Sequence, residues 1–356
     1  LKGGALLKEL RLKLRFITPA FIGGPEISSA ELRPPSIKGM LRFWWRAANA
    51  GKFGLNELKL NESWIFGDAS GNGRVSSFLI RVISDRLNNN LSKDNFPRNN
   101  YALYTVKGHR LNILEYLAYG TYSYDRTQRR NVFEREYIKP GLSFELFFSL
   151  PDRAESKEVI QELYSALAAW SCFGGLGSKS RNGFGSFAIE NADGHPLLAQ
   201  LMQLSPASYF KKLLYNTGLP EFTAFSNKAR LFKTRQVFSS WDACLARLGH
   251  VYREARLSIE NKHNYELRQY IGAPIIVNKT QYSLLGRRAK PYFLKVYKEK
   301  DGYAGYILHL PSHYYLGDNS SLQPKGSFNR ETLNDKFQKT CEIFNNYLSD
   351  QLEEIK

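Results

Sequence analysis

Cysteine is scarce in this 356-residue chain, and its three cysteines cannot form a disulfide framework. Cys172, Cys244 and Cys341 are odd in number and far apart, which fits reduced thiols in a cytosolic protein. No two of them have the spacing of a zinc motif, and the six histidines are scattered. The sequence therefore predicts no metal site, no cofactor and a cytoplasmic location.

Long apolar runs are also missing, and acidic residues are outnumbered. No segment is apolar over the length that crosses a bilayer, and LKGGALLKEL at the start lacks the apolar core and cleavage site of a signal peptide. Lysine and arginine number 50 against 33 acidic residues, a formal net charge of +17. Such a charge attracts polyanions, although a generally basic proteome also explains part of it. Composition favours nucleic acid as a partner without deciding it, and no membrane is expected.

Hydrophobic periodicity predicts strands and helices in a repeating order. LKELRLKLRF alternates apolar and charged residues, as in a strand with one buried face. In the first half, further strands are predicted at 76–83, 142–150 and 183–190, and helices at 36–50, 111–119 and 156–173. Strand, helix, strands, helix, strand is the βαββαβ order of a ferredoxin-like fold carrying insertions.

The second half gives a weaker version of the same pattern. Helices are predicted near 206–216, 241–257 and 330–354, and strands near 227–238 and on both sides of the turn EKDG. The length suggests two domains, each large enough to bury a core. We therefore predict an α+β protein with a ferredoxin-like βαββαβ domain with insertions at 1–192, carrying a glycine-rich loop, and a second, more decorated α+β domain at 193–356.

ELRPPSIKGMLRFWWRAANA, residues 31–50, predicts a helix with an apolar face and a basic face. Lys38, Arg42 and Arg46 are spaced four apart and form one stripe, with Trp45 at its border, where the ring could meet a base. Ser36 is expected as the N-cap, so free N–H groups beside Lys38 and Gly39 would suit a phosphate. A capped amphipathic helix with a solvated cationic edge explains the pattern equally well.

CFGGLGSKSRNGFGSF, residues 172–187, is a second candidate site. It is neither a P-loop nor a dinucleotide fingerprint, because it runs from a helix into a strand and no glycine directly precedes its lysine. Its glycines allow close backbone approach, Lys179 and Arg181 supply charge, and Phe184 offers a stacking face, so the loop could cradle a nucleic-acid backbone. The alternative is a helix C-cap followed by a flexible hairpin.

Together, TPAFIGG, RPPSIKGMLRFWWRAA and FGGLGSKSRNGFGSF resemble the RAMP superfamily of CRISPR proteins. Within it they are similar to the family of the first RAMP subunit of type III-B Cmr effector complexes. LLGRRAKPYFLKV is similar to that family's arginine-pair step, with Lys290 where serine is more usual. The resemblance covers the first 190 residues best, and it implies two ferredoxin-like (RRM-like) βαββαβ domains with insertions, a relative of the RNA-recognition fold.

The resemblance implies an RNA-binding structural subunit that acts in antiviral defence together with other Cmr subunits. It would hold the 3′ part of a CRISPR guide RNA, paired target RNA, or both, while other subunits cut the target. The residues that we predict to contact RNA lie in the helix start, the glycine-rich loop and the arginine-pair step: Arg33, Ser36, Lys38, Gly39, Arg42, Trp45, Arg46, Gly174, Gly175, Gly177, Lys179, Ser180, Arg181, Phe184, Arg287, Arg288 and Lys290.

Two other functions stay open at this point. A metal-independent endoribonuclease that processes CRISPR RNA would need a general base, for which His109 and His195 are the nearest candidates. Neither belongs to a basic motif, and Asp68 is expected in a turn rather than in a metal site. A stand-alone single-stranded RNA-binding protein is the third interpretation. We expect the chain not to be an enzyme.

Overall fold

The computed structural model describes residues 7–24, 26, 28–69, 73–151, 156–277, 279–316 and 329–356. The predicted α+β class is confirmed. Two antiparallel four-stranded sheets form the framework, and their strands are β1 (Leu7–Phe16), β2 (Leu79–Ile83), β3 (Ser143–Pro151), β4 (Phe187–Asp193), β5 (Arg230–Lys233), β6 (Tyr292–Glu299), β7 (Gly302–His309) and β8 (Glu353–Ile355). The long helices are α1 (Pro34–Asn49), α2 (Leu55–Phe66), α3 (Ser156–Phe173), α4 (Trp241–Ser258) and α5 (Arg330–Gln351).

Both sheets are connected in the same way. The first sheet has the order β4-β1-β3-β2, and the second has the order β8-β5-β7-β6. Every neighbouring pair in the two sheets is antiparallel. In chain order, each sheet is therefore built from a strand, a crossover helix, two strands, a second helix and a final strand, with the first and third strands at the centre.

Shorter elements decorate this framework. The segment between β2 and β3 contributes strands Leu91–Ser92, Leu103–Val106, His109–Asn112, Tyr122–Asp125, Arg130–Phe133 and Tyr137–Ile138 and helix Ile113–Leu117. Further along are helices Pro196–Ala199 and Pro206–Lys212 and strands Ile275–Val277 and Thr280–Tyr282. Single 3₁₀ turns lie at Asn88–Asn90, Asn100–Ala102, Gln200–Gln203 and Arg268–Ile271. No described helix is long and apolar enough to cross a membrane.

Two apolar cores hold the halves together. Leu10, Leu12 and Leu14 of β1 are fully buried in the first core, as the alternation of the strand predicts. This core also takes residues from β6 and β7, and the second core takes Phe21 and Phe184 from the first half. Since both cores draw on both sides of residue 192, the halves pack closely, and the boundary at 192/193 stays a prediction.

Candidate nucleic-acid interface

Helix α1 begins earlier than predicted, and this removes the phosphate site expected at its start. Pro34 and Pro35 occupy the first two helical positions, and Arg33 is the N-cap residue without a side-chain cap bond. Proline suits these positions because the first turn has no acceptor for its missing N–H. The N–H of Ser36 donates to the Arg33 carbonyl at 3.1 Å. The prediction that Ser36 caps the helix is therefore wrong, and the first turn has no free N–H for an anion.

The basic stripe on α1 exists, but two of its cations are paired. Arg42 Nε lies 2.8 Å from Glu62 Oε1, and Arg46 Nε lies 3.6 Å from Glu62 Oε2. No described carboxylate pairs with Lys38, whose ammonium lies 5.9 Å from the centroid of the Phe78 ring. Burial, and secondarily the charge of Arg42, lower the pKa of Lys38. Three cations against one carboxylate leave surplus positive charge on this face.

The surface around this stripe is open to a ligand. Gly39 is exposed, and no heavy atom lies within 4 Å of the position that its Cβ would occupy. Lys38, Arg42 and Arg74, together with one carboxylate, that of Asp68, line a shallow cavity of about 300 Å³. Arg33 pairs with Glu31 at 3.9 Å, and both side chains are substantially exposed, so this pair holds the arginine only weakly. This side of α1 is therefore a cationic and accessible surface.

Trp45 does not belong to that surface. Its side chain is fully buried, and its indole Nε1 donates to Glu162 Oε2 at 2.6 Å. The ring stacks on Phe53 and meets the edge of Phe66, the last residue of α2. The stacking role predicted for Trp45 is therefore wrong, because α2 and α3 cover the border of the stripe.

The glycines of the loop at 174–185 serve the packing of the protein itself. A Cβ on Gly175 would lie 2.5 Å from the Phe184 carbonyl oxygen, and one on Gly177 would lie 2.4 Å from the Phe21 carbonyl oxygen. Gly174 faces the rings of Trp44 and Trp170 in the same way. Gly174 and Gly175 are buried, so their predicted contact with RNA is contradicted. Gly177 is half-buried, and its contact with RNA stays a prediction.

Phe184 is also buried, whereas the cationic tip of the loop is not. The Phe184 ring packs on Phe96 and Phe21, with centroids 5.4 Å away from each, so its predicted stacking on a base is wrong. Lys179 and Ser180 are half-buried. Lys179 has a left-handed backbone conformation (φ 63°), which is uncommon for a residue other than glycine. The tip thus remains available to a ligand while the base of the loop is closed.

Arg181 joins all three sequence motifs. Its guanidinium Nη1 donates to the carbonyl of Lys290, and its backbone carbonyl accepts from Leu294 N at 3.0 Å. The same guanidinium lies 4.4 Å from the ring centroid of Phe293 and 5.7 Å from that of Phe43 on α1. Burial, with a contribution from Arg288, lowers the pKa of Arg181 to about 10. The predicted motifs therefore meet at one point, but Arg181 itself is occupied by protein contacts.

Two residues of the arginine-pair step are likewise turned inward. Arg288 Nη2 donates to the His313 carbonyl at 2.7 Å, and its guanidinium lies 4.6 Å from the Tyr314 ring centroid. Lys290 Nζ is buried 3.8 Å from the Tyr252 ring centroid and has no hydrogen-bond partner among the described residues. Burial, and then the charges of Arg256, Arg181 and Lys179, hold the pKa of Lys290 well below its usual range. Direct RNA contact through Lys290 is contradicted by the burial of its ammonium, whereas Arg288 is half-buried and its contact with RNA stays a prediction.

Lys179 at the tip of the loop is close enough to Arg135 and Arg287 for their charges to act on it, and we call these three residues the loop cations. Burial lowers the pKa of Lys179, and the like charges of Arg135 and Arg287 lower it further. None of the three has an ion pair with a described carboxylate. Sequence reasoning missed Arg135, because it lies in the polar segment at 120–140 outside any motif.

Lys295 links the glycine-rich loop to the second sheet. Its buried Nζ donates to the Gly174 carbonyl at 2.7 Å and to the Phe187 carbonyl at 3.3 Å. Burial lowers the pKa of Lys295 to about 7. At pH values between this lowered pKa and the ordinary lysine pKa, the Lys295 ammonium is protonated in the unfolded chain but not in the native state. The free energy of unfolding therefore rises with pH in that range.

We expect Lys295→Met to weaken this pH dependence. Between about pH 7 and pH 8 the gain in unfolding free energy should be smaller in the variant by about 1 kcal/mol, since one titrating group is removed. Urea denaturation at both pH values measures the difference. Lys300→Met, a change of the same type at an exposed residue, should keep the wild-type dependence. An equal gain in unfolding free energy between the two pH values in the wild type and both variants would contradict a lowered pKa at Lys295.

The groups considered for catalysis lie elsewhere. His195 Nδ1 accepts a hydrogen bond from the Leu197 N–H at 3.2 Å and so caps a short helix, whereas His109 is exposed in the hairpin at 103–112. Among the described residues, no group of three or more histidine, cysteine, aspartate or glutamate side chains is arranged to hold a metal ion. One of the two histidines considered for catalysis therefore caps a helix and the other is exposed in a hairpin, and neither belongs to a cationic motif.

Known proteins match both the motifs and the fold. The model of the RAMP superfamily matches residues 13–188. CRISPR system Cmr subunit Cmr1-2 of Pyrococcus furiosus is 28% identical over 191 residues, 51% of this chain and 95% of that protein. Cmr subunit Cmr1-1 of the same organism is 28% identical over 173 residues, 47% of this chain and 43% of that protein, so the match spans less than half of this second relative.

Solved structures show the same fold along the chain. The crystal structure of Cmr1 from Pyrococcus furiosus in its apo form has a TM-score of 0.55 at 19% identity and covers 97% of both chains. A chain in the cryo-EM structure of the type III-B Cmr-beta bound to cognate target RNA has a TM-score of 0.54 at 13% identity, covering 95% of this chain and 100% of that chain. The likeness at these identities concerns the fold, and it includes the second half that the family match does not reach.

Proposed function

This chain belongs to the RAMP superfamily over residues 13–188, and from that membership we propose that it is an RNA-binding subunit of a type III-B Cmr effector complex. In that complex it holds the 3′ part of the guide RNA, the target RNA paired to it, or both, in the cytoplasm. Its partners are RNA and other Cmr subunits. The relatives that are Cmr subunits, and the neighbour whose structure contains target RNA, support this proposal.

The observation that carries the proposal is the group of loop cations beside the point where the three motifs meet. Arg135, Lys179 and Arg287 come from three distant segments, and no described carboxylate pairs with them. Unpaired like charges repel one another, so the fold concentrates them at an electrostatic cost that a bound phosphate backbone relieves. The stripe on α1 supplies a second cationic surface with Lys38 as its unpaired member.

Two ferredoxin-like domains are the fold that best accounts for the two sheets. Strand orders β4-β1-β3-β2 and β8-β5-β7-β6 both follow the βαββαβ scheme, with α1 and α3 as crossovers in the first unit and α4 and α5 in the second. We take residues 1–192 and 193–356 as the two domains. Residues of both domains contribute to both apolar cores, so the two domains pack closely against each other.

We expect the purified chain to bind single-stranded RNA without cutting it. The cationic surfaces offer donors to phosphate, but their motifs contain no histidine, and no group of three or more metal-binding side chains is present among the described residues, whereas cleavage requires a general base, an activated nucleophile or a metal ion. End-labelled RNA incubated with the protein, with and without magnesium or manganese, tests this on denaturing gels.

His109→Ala and His195→Ala serve as the matched variants in that experiment. Intact RNA in every lane, together with a shifted band on native gels, agrees with a binding subunit. Discrete products that vanish in either histidine variant would contradict the proposal and assign an endoribonuclease. Co-purification of the chain with small RNA and other Cmr subunits tests its place in the complex.

A further inference from the structure

A cavity of about 640 Å³ lies between the two halves, and apart from Phe187, the last residue of the glycine-rich motif, its lining residues belong to none of the three motifs. One wall comes from β1 and β4 with Arg15, Phe187 and Glu190, and the opposite wall from the β6–β7 hairpin and the start of α4. This volume lies within the range of small-ligand sites in proteins, which run from about 300 to 1,000 Å³. The cavity therefore has the size of a ligand site and lies outside the surfaces described above.

The cavity combines an apolar floor with aromatic rings at its opening. Phe16, Phe187 and Leu201 are buried beneath it, whereas Trp241 and Tyr303 are only half-buried. Ser240 caps α4 by accepting from Ala243 N at 3.4 Å, which fixes Trp241 as the first helical residue. No described residue accepts a hydrogen bond from the Trp241 indole N–H. Partly exposed rings of this kind bind the flat face of a base.

The rim of the cavity is positively charged. Arg15 Nη1 lies 3.5 Å from Glu190 Oε1, and Lys13 Nζ lies 3.6 Å from Glu190 Oε2, so one carboxylate is shared by two cations. Lys298 is exposed, has no described carboxylate partner, and lies 4.5 Å from the Tyr303 ring centroid. Two cations, Arg15 and Lys298, line the cavity with the single carboxylate of Glu190, and Lys13 beside that carboxylate adds a further positive charge, which favours an anionic group at the opening.

We propose that this cavity binds a nucleotide unit, with its base against Trp241 and Tyr303 and its phosphate facing Arg15 and Lys298. A purely apolar ligand leaves the charged rim unused, and a simple anion leaves the rings and the apolar floor unused. A base joined to a phosphate can contact the charged rim, the aromatic rings and the apolar floor together. The nucleotide unit is either a free nucleotide or one residue of an RNA strand. Binding of an RNA residue rests on the proposed RNA-binding function, whereas binding of a free nucleotide does not.

Calorimetric titration of the whole chain with AMP and with a short single-stranded RNA tests the proposal. Trp241→Ala should weaken AMP binding roughly 10-fold or more, because stacking on one ring contributes that much to single-strand binding. Trp241→Phe keeps a ring and should stay within about threefold of the wild type. Lys298→Ala should weaken AMP binding severalfold, whereas the control Lys300→Ala, in the same hairpin but outside the cavity, should not.

The RNA arm of the titration separates the two sources. Loss of both AMP and RNA affinity in Trp241→Ala assigns the cavity to an RNA residue, and loss of AMP affinity alone assigns it to a free nucleotide. Absence of AMP binding at millimolar concentration, or unchanged AMP affinity in both Trp241→Ala and Lys298→Ala, would overturn the proposal. Substitution of the loop cations should leave AMP binding intact, so failure of the RNA-binding function remains distinguishable.

Discussion

Gly185→Ala is expected to lower the unfolding free energy of the protein by more than about 4 kcal/mol, the range reserved for severe backbone and packing conflicts. Gly185 has a φ of 64°, and a Cβ there would lie 1.9 Å from the Leu176 carbonyl oxygen. The same carbonyl cannot retreat freely, because Leu176 N donates to the Gly185 carbonyl at 2.9 Å and closes the loop on itself. The substitution therefore has to break the base of the glycine-rich loop.

Chemical denaturation followed by circular dichroism measures this effect, and Gly39→Ala is the matched control. Gly39 is helical and exposed with open space around its Cβ position, so alanine there should be neutral or stabilise by about 0.5–1 kcal/mol. Gly185→Ala with a wild-type denaturation midpoint would show that the loop is not closed as described. That result would instead favour an open loop whose glycines allow close approach of a nucleic-acid backbone.

Removal of the loop cations is the second large effect. In Arg135→Ala/Lys179→Asn/Arg287→Ala, asparagine is chosen at 179 because it tolerates the left-handed backbone of that residue. Each phosphate contact to single-stranded nucleic acid releases about 0.7 of a counterion, so three lost contacts lower the affinity roughly 100-fold at about 0.1 M salt. Fluorescence anisotropy of a labelled RNA measures the change.

A control variant with the same change in net charge distinguishes direct contact with RNA from long-range electrostatic attraction. Lys157, Lys211 and Lys212 are exposed and belong to α3 and to the helix at 206–212, so their replacement by alanine makes the same change in net charge. We expect that variant to bind RNA within about threefold of the wild type, because screening weakens charges that do not touch the ligand. Equal losses in both variants would contradict a specific role for the loop cations.

Elements with strong periodicity were predictable from the sequence. The bounds predicted for α3 are those observed, since SKEVIQELYSALAAWSCF begins near a serine and ends at two glycines. The strand pair around EKDG is also confirmed as β6 and β7. Helix α1 was misjudged at its start because two prolines fit the first turn better than they fit the segment before it. Helix α2 was not predicted, although it covers Trp45 and pairs with Arg42 and Arg46.

The candidate site was predictable in its segments but not in its side chains. Sequence placed charge on the loop and on the arginine-pair step, and Arg181 does bring these segments together. Which cations face outward depends on tertiary packing: Lys290 and Arg288 turn inward onto aromatic rings, whereas Lys179 and Arg287 do not. Arg135 joins them from a polar segment, and no local pattern indicates that approach.

The salt dependence of RNA binding tests the central claim most directly. For the wild-type chain and single-stranded RNA, the logarithm of affinity should fall linearly with the logarithm of salt concentration. The triple variant of the loop cations should reduce the magnitude of that slope by about 2, three contacts at about 0.7 each. Absence of RNA binding at low salt, or a slope that the triple variant leaves unchanged, would contradict an RNA interface built on these cations.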